Sequence, residues 1–350
     1  MRVLLLTDTH NELAMINELA FSERIDACIH CGDFGFYDQE SPDRLTQREL
    51  QLRIRHSDLP RDLRKKSYDM GREQALEVIR THKMLEGFVP YLSGRSQFSV
   101  PVYAVWGNHD DHQVIRKLIN GTYQVPNLHL LHENNAPFLG KTQIALLGVG
   151  GNFYLEGDKL FASEYTGHGG TIRASWLQYA RLIEQFKHIQ QTQSPRATIF
   201  VSHVSPAKSE ARLIERLCLV LGIDLSVSGH MDPPICHAYS LFALCEPQEV
   251  VRRSQAAFEA LCRRWEQERE SCGLNAKQQA WVDDSLKVLD IPNMAEPERG
   301  KRAPVGSIED HYYKTQFINL ADTPEGWAIL EVEAEALTLH TRSRFPLRSV

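Results

Sequence analysis

Five short apolar segments of this chain each end in polar residues that could bind metal ions or transfer protons. Short apolar runs of this kind are typical of buried strands. In open α/β sheets, the carboxyl ends of parallel strands meet at one edge, and ligands bind there. The sequence therefore predicts that these side chains surround one crevice. They are Asp8, His10, Asp33, Asn108, His109, Asp110, His203, His230 and Asp232.

The chemistry of this set favours a pair of metal ions. Carboxylates, imidazoles and an amide oxygen bind borderline divalent ions, and one carboxylate can bridge two of them. His109 can donate or accept a proton near neutral pH, and the carboxylate of Asp110 could orient a neighbouring imidazole. One histidine in a loop is usually just a polar surface residue. The prediction therefore depends on the joint occurrence of these residues.

The elements that must position these residues alternate between strands and helices, as expected of an α/β fold. A helical stretch, 12–24, separates the first two predicted strands, which gives a strand–helix–strand unit. At the other end of the chain, 312–319 and 326–340 alternate apolar and polar residues. This alternation predicts an antiparallel hairpin that completes the sheet.

Two sections depart from this alternation. In the polar section, about 37–72, arginines and lysines are interleaved with acids. It could be a solvated surface or a phosphate-facing cap beside Asp33, and we favour the solvated surface because the acids dilute the charge. The basic residues are Arg44, Arg48, Arg53, Arg55, Arg61, Arg64, Lys65 and Lys66, and the acids are Asp43, Glu49, Asp58 and Asp62.

The second departure, about 246–303, predicts an inserted helical hairpin. Phe258, Leu261 and Trp265 recur at spacings of three and four residues, which indicates an amphipathic helix with a narrow apolar seam. A second helix is predicted over 276–289. The hairpin could pack on its own domain, cover the active site, or mediate a homodimer or bind a protein partner.

Composition limits the classes of function. The 350 residues are enough for one large domain with insertions, spanning 1–350, and the net charge of −6 gives no overall attraction to nucleic acid or membranes. The first apolar run, 3–6, is too short for the core of a signal peptide, and no later run approaches transmembrane length. We therefore expect a cytoplasmic protein that does not associate with membranes.

The seven cysteines predict reduced thiols, because their number is odd and they are scattered through the chain. Cys28 and Cys31 form a C-x-x-C pair, but the chain has no second such pair to complete a zinc site. Their alternation with Ile29 indicates strand residues instead.

The ordered motifs resemble those of the calcineurin-like metallophosphoesterases. The family pattern is D-x-H, G-D, G-N-H-D/E, a single H, and G-H-x-H. The resemblance covers the chain except for the two departing sections. The matching residues here are Asp8-Thr9-His10, Gly32-Asp33, Gly107-Asn108-His109-Asp110, His203 and Gly229-His230-Met231-Asp232.

This resemblance implies a four-layer α-β-β-α sandwich of two mixed β-sheets with helical insertions. It implies two divalent metal ions, and a hydroxide between them that attacks phosphorus in line. His109 would donate a proton to the leaving oxygen, with Asp110 as its orienting partner. One ion would be held by Asp8, His10, Asp33 and Asp232, and the other by Asp33, Asn108, His203 and His230.

Asp232 departs from the family pattern, which has histidine at this position. A carboxylate is a harder ligand than an imidazole, so we expect a site that favours Mn²⁺, with Fe²⁺ and Mg²⁺ as alternatives and Zn²⁺ less favoured. Alternatively, Asp232 does not reach the metal, and His237 substitutes for it or the site is weak.

The resemblance predicts a metal-dependent phosphoesterase, and phosphodiesters are favoured as substrates. Phe34-Gly35-Phe36 follows Asp33, where the family's protein phosphatases have an Asp-Arg pair, and Asp110 is typical of the family's phosphodiesterases. The basic section slightly favours a nucleotide or nucleic-acid substrate. The alternatives are a phosphomonoesterase of the same family, or a non-catalytic scaffold that binds a protein through the helical hairpin. The sequence assigns no substrate-binding residue.

Overall fold

A computed structural model describes residues 1–164, 167, 172–206, 208, 211–230, 236–240, 247–290, 310–311, 314–323, 325–334 and 336–343. The strands are β1 (Arg2–Leu6), β2 (Ala27–Cys31), β3 (Val102–Val105), β4 (Leu128–Leu130), β5 (Ile144–Val149), β6 (Ala197–Ser202), β7 (Leu225–Ser228), β8 (His237–Tyr239), β9 (Gln316–Asn319), β10 (Gly326–Val332) and β11 (Leu337–Ser343). The helices are α1 (Ala14–Ser22), α2 (Ser41–Arg44), α3 (Gln47–Arg55), α4 (Arg61–Lys66), α5 (Arg72–Thr81), α6 (Val89–Leu92), α7 (His112–Ile119), α8 (Trp176–Thr192), α9 (Arg212–Val220), α10 (Pro247–Glu268) and α11 (Ala276–Leu289).

The strands form two mixed sheets. The first sheet has six strands in the order β11-β10-β1-β2-β3-β4, and the second has five in the order β5-β6-β7-β9-β8. In the first sheet β1 to β4 are parallel, and in the second β5, β6, β7 and β9 are parallel. β2, β5 and β6 are buried along their whole length, which explains why their sequences are almost continuously apolar.

The two sheets pack face to face, and helices cover both outer faces. Leu5 and Ile29 of the first sheet share a core with Leu146 and Val201 of the second. The opposite face of the first sheet packs against α1 and α7. The opposite face of the second sheet packs against α8 and α9. The predicted four-layer α-β-β-α sandwich is therefore confirmed.

The section 37–72 folds as helices α2, α3 and α4 around a small core of its own, which α5 completes. Leu50 and Ile54 of α3 pack in this core with Ala75 and Ile79 of α5. Leu50 and Ile54 are one helical turn apart, so they lie on the same face of α3. The residues directly before them, Glu49 and Arg53, border that buried face.

The helical hairpin of α10 and α11 packs on its own domain. Phe258, Leu261 and Trp265 are buried in the core that covers the second sheet, and the Trp265 ring lies 4.8 Å from that of Phe161. This is the first of the three arrangements proposed for the hairpin. The seam is therefore unavailable to a partner, and this removes the sequence argument for binding a protein through it. The structure does not describe 291–309, which includes the end of the predicted insertion.

The predicted C-terminal hairpin of 312–319 and 326–340 is wrong. β9 joins the second sheet between β7 and β8, whereas β10 pairs with β11 and β1 in the first sheet. Alternation reports which face of a strand is buried, but it does not say which sheet the strand joins. Cys28 and Cys31 are buried strand residues with free thiols, as predicted. Among the described residues, no helix is long and apolar enough to cross a membrane.

Candidate metal centre

The predicted ligands follow the carboxyl ends of parallel strands in both sheets. Asp8 and Asp33 follow β1 and β2, Asn108 follows β3, and His203 and His230 follow β6 and β7. Because the two sheets are stacked, these five ends meet at one edge of the sandwich. This arrangement agrees with the crevice that the sequence predicts.

Four of these side chains lie close enough together to bind a common ion. One ligand atom from each of Asp8, Asp33, His203 and His230 lies within 4.8 Å of the others. Both carboxylates and His203 are almost completely buried. His203 Nε2 is 3.7 Å from Asp33 Oδ2. The cluster combines two anionic oxygen ligands with two imidazoles, which suits a borderline divalent ion.

The backbone at this edge adopts strained conformations. Asp8, His10, Asp33 and His230 all have positive φ angles, between 46° and 55°. Such angles are uncommon for residues other than glycine, and they cluster at functional sites. Hydrogen bonds hold the first two loops against each other: Asp8 N donates to Gly32 O over 3.0 Å and His10 N to Asp33 O over 2.9 Å.

The contacts of His203 fit a metal ligand. Its Nδ1 lies 2.9 Å from the carbonyl oxygen of Cys31, which can only accept a hydrogen bond, so Nδ1 carries a proton. In the neutral ring this leaves the lone pair on Nε2, 2.9 Å from Asn108 Oδ1. Two adjacent ligands of one ion lie roughly 3 Å apart. A shared cation satisfies both atoms, so the donor set fits the metal that the resemblance implies.

The charges of the cluster also suit a cation. Burial lowers the pKa of His203, and burial together with His203 lowers the pKa of His230 to about 3, so both imidazoles are neutral and able to bind metal. Burial and the neighbouring Asp33 raise the pKa of Asp8 well above its ordinary value. Burial also disfavours the ionised form of Asp33, but His203 and His109 hold its pKa below the ordinary value. Two buried carboxylates side by side favour a positive ion between them.

His10 lies at the margin of the cluster. Its Nε2 is 3.9 Å from Asp8 Oδ1, and its Nδ1 is 2.9 Å from Nη1 of Arg53. A guanidinium can only donate, so Nδ1 accepts this hydrogen bond. Burial and Arg53 lower the pKa of His10 to about 3. His10 is therefore a neutral imidazole beside the cluster.

His109 contacts a carboxylate, but one that the sequence did not predict. Its Nδ1 lies 2.8 Å from Oε1 and 3.0 Å from Oε2 of Glu49, which is 1 % exposed. Burial opposes protonation of the ring, but Asp33 and Glu49 raise the pKa of His109 above its ordinary value. The backbone of His109 is held as well, because its N–H donates to Asp33 Oδ1 over 2.9 Å.

The predicted pairing of Asp110 with His109 is wrong. The Asp110 carboxylate is fully buried and accepts hydrogen bonds from the backbone N–H groups of Gly35, Phe36 and Gly107 over 2.7, 2.8 and 2.8 Å. These donors use the oxygens that the prediction assigned to the imidazole. Asp110 instead fixes the loop after β2 against the loop after β3, and so fixes Asp33 relative to Asn108.

Section 37–72 reaches this site through α3. Arg53 donates to Glu49 Oε1 from Nε and Nη2, both over 3.1 Å, and it also contacts His10. The favoured interpretation of this section as a solvated surface is therefore wrong for Glu49 and Arg53. Asp232 lies outside the described residues.

In the sequence, Glu49 is one of the acids that dilute the basic section. One signal could have identified it. Glu49 and Arg53 are an oppositely charged pair one turn apart, and each directly precedes an apolar residue, Leu50 or Ile54, of the buried face. Charged side chains on the edge of a buried face must be paired, and here the pair borders the metal cluster.

Comparison with known proteins agrees with this geometry. The family model for calcineurin-like phosphoesterases matches residues 1–234. The chain belongs to this family. The matched part contains every described ligand of the cluster and the α3 insertion. A calcineurin-like phosphoesterase is a metal-dependent phosphoester hydrolase that typically binds two divalent metals, so the cluster is a candidate for part of such a centre.

No curated protein matches the chain in a sequence search. Among solved crystal structures, one is similar at 11 % sequence identity and a TM-score of 0.47, covering 97 % of this chain and 98 % of that chain.

Proposed function

We propose that this phosphoesterase is a phosphodiesterase with two divalent metal ions, Mn²⁺ being favoured, and that its substrate is a nucleotide or nucleic acid. The observation that carries the proposal is the largely buried cluster of Asp8, Asp33, His203 and His230, with Asn108 and His109 beside it. It combines ligands for the metal with a group able to donate a proton.

The residues divide between two ions. Asp8, His10 and Asp33 would hold one ion, with Asp232 as a further ligand, and Asp33, Asn108, His203 and His230 would hold the other. To bind through Nε2, the atom that faces Asp8, His10 would have to carry its proton on Nδ1 and give up the hydrogen bond from Arg53. When bound, the ions supply Lewis-acid activation of the phosphoryl group and lower the pKa of a water molecule.

The chain's own residues orient the reaction. Asp110 holds the loops that carry Asp33 and Asn108 in register. Cys31 fixes the His203 tautomer through its carbonyl oxygen, which leaves Nε2 to face the cluster. His109 stands beside Asp33 as the proton donor to the leaving oxygen.

The preference for a polyanionic substrate is supported by section 37–72. In the part of the chain that the structure describes, Arg61, Lys65 and Lys66 of α4 lie in no ion pair. Tyr68 is 62 % exposed, and the Arg55 guanidinium lies 3.6 Å from the centre of its ring. Free cations beside an exposed aromatic ring suit phosphates and bases of a single strand.

The experiment compares hydrolysis of an aryl phosphodiester with that of the matching aryl phosphomonoester, each with Mn²⁺. We expect diester turnover by the wild-type protein, and a loss of more than about 100-fold in Asn108→Ala, because a metal ligand is removed. Asn134→Ala is the matched control and should keep full activity, because Asn134 is exposed and its side chain donates to Glu133 rather than to a residue of the cluster.

Preferential turnover of the monoester would contradict the diester assignment and leave the family activity standing. A wild-type protein that binds metal but hydrolyses neither ester would support the scaffold alternative. A single-stranded oligonucleotide added to the diester assay should inhibit it, and the inhibition should weaken as salt is raised.

A further inference from the structure

We propose that Glu49, supplied by the insertion helix α3, is the positioning residue of His109 and holds this imidazole as the proton donor to the leaving oxygen. The inference deepens the proposed function and rests on it. It assigns to the insertion a task that the sequence had given to Asp110.

The geometry fixes His109 at three points, one on the ring and two on the backbone. Glu49 contacts Nδ1 over 2.8 and 3.0 Å, Asp33 Oδ1 accepts from the His109 backbone N–H over 2.9 Å, and the Tyr37 hydroxyl donates to its carbonyl oxygen over 2.6 Å. Both ring orientation and backbone position are therefore set. Among the described residues, Nε2 is the polar atom of His109 left without a hydrogen-bond partner, and it is the atom that can reach a substrate.

The charge on Glu49 is held in place by a second residue. Arg53 donates to Glu49 Oε1 from two nitrogens, both at 3.1 Å. The carboxylate is 1 % exposed, and a buried charge persists only when it is paired. A paired, ionised Glu49 can only accept at Nδ1, so it fixes the ring orientation and leaves Nε2 to face the substrate, as the carboxylate does in other acid–base dyads.

No other described carboxylate takes this position at Nδ1. The Asp110 carboxylate accepts hydrogen bonds from the backbone amides of Gly35, Phe36 and Gly107 and does not contact the His109 ring. Asp33 lies against the backbone of His109 rather than its ring. Glu49 therefore reaches the proton donor from outside the strand-end loops, which is possible only because the insertion folds over them.

The proposed step is a hydrolysis in which His109 protonates the leaving oxygen. A water molecule releases one proton to the solvent and its oxygen bonds to phosphorus, while the bond from phosphorus to the leaving oxygen breaks with its electron pair on that oxygen. His109 transfers the Nε2 proton to the leaving oxygen and becomes neutral, with Nδ1–H still donating to Glu49, and it regains a proton from the solvent before the next turnover. The products are a phosphomonoester and an alcohol or phenol.

The test exploits the leaving group. Ethyl 4-nitrophenyl phosphate releases a stable anion that needs little protonation, whereas ethyl phenyl phosphate releases a more basic oxygen. For Glu49→Gln we expect kcat to fall about 10- to 100-fold on the phenyl ester and less than about 3-fold on the nitrophenyl ester. Glu77→Gln, the same change at an exposed site on α5, is the control and should leave both rates unchanged.

A second measurement separates positioning from folding. In the wild-type protein the His109 Nδ1–H should give a strongly downfield proton resonance, and Glu49→Gln should shift it upfield. Glu49→Asp keeps the negative charge on a shorter side chain, so its kcat on the phenyl ester should fall less than that of Glu49→Gln. If Glu49→Gln does not fold, the test passes to Glu49→Asp, for which kcat must fall more on the phenyl ester than on the nitrophenyl ester.

Two different results would overturn the inference: one leaves the proposed function intact, and the other contradicts it as well. Equal losses on both esters in an otherwise active, folded Glu49→Gln protein would mean that Glu49 does not act through the leaving-group proton, while the proposed function would stand. A wild-type protein that hydrolyses neither ester would contradict the proposed function and this role together.

Discussion

Gly107 connects strand β3 to Asn108, and its backbone runs against the carboxylate that we propose to bridge the two ions. A Cβ atom on this residue would lie 1.9 Å from Asp33 Oδ1 and 2.2 Å from the Asp33 backbone nitrogen. Real atoms cannot approach so closely, so one of the two loops would have to move. The glycine is thus required by the proximity of two ligand loops.

We predict that Gly107→Ala weakens Mn²⁺ binding by about tenfold or more, because it displaces Asp33 from the other ligands. Titration calorimetry of the purified protein measures the affinity. Gly71→Ala is the matched control: a Cβ there meets nothing within 4 Å, and the metal affinity should not change. Equal Mn²⁺ affinity in Gly107→Ala would contradict the prediction, because it would mean that Asp33 is not a ligand or that the two loops move apart without displacing it.

At the scale of elements, the insertion is tied to the sandwich by a buried ion network. Arg44 of α2 donates to Asp111 Oδ2 from Nε over 2.8 Å and also pairs with Asp38. Asp111 caps α7 by accepting from the Gln113 N–H over 2.9 Å. The same carboxylate therefore links α2 to the helix that follows the Asn108–His109 loop, and this link holds α3 over the site.

We predict that Arg44→Met lowers the free energy of unfolding by about 3 kcal/mol, because Asp111, with its side chain 2 % exposed, loses its cationic partner. Arg80→Met breaks another Arg–Asp pair, but both its side chains are more than half exposed, so the loss should stay below about 1 kcal/mol. Urea unfolding of both variants measures the difference. Similar losses in the two variants would contradict a network that anchors the insertion.

The sequence predicted the elements that follow a local rule. The strands could be found because they are apolar and end in polar residues, and the ligands because each directly follows a strand. Glu49 could not be assigned a role, because its partner lies 60 residues further along the chain and nothing local brings them together. The prediction of which sheet β9 joins failed for the same reason, since the pairing of β9 with β7 and β8 depends on how the whole second sheet assembles.

At the scale of the molecule, both insertions serve one sandwich in different places. The helices of 37–72 lie at the edge where the strand ends meet, and the hairpin of α10 and α11 covers the outer face of the second sheet. The hairpin is also joined to α8 and α9 by polar contacts: Trp176 Nε1 donates to Ser285 Oγ over 3.0 Å, and Arg216 Nε donates to Leu289 O over 2.9 Å. It is therefore part of the core layer of this domain.

If the hairpin belongs to the core, its apolar seam must contribute to the stability of the whole chain. Leu261 is fully buried, so we predict that Leu261→Ala lowers the free energy of unfolding by about 2–5 kcal/mol in one cooperative transition. Phe21→Ala removes a side chain that is 89 % exposed and should change stability by less than about 0.5 kcal/mol. Urea unfolding followed by both tryptophan fluorescence and circular dichroism tests this. A seam that instead binds a second copy would leave the unfolding of Leu261→Ala near that of the wild type and change its sedimentation.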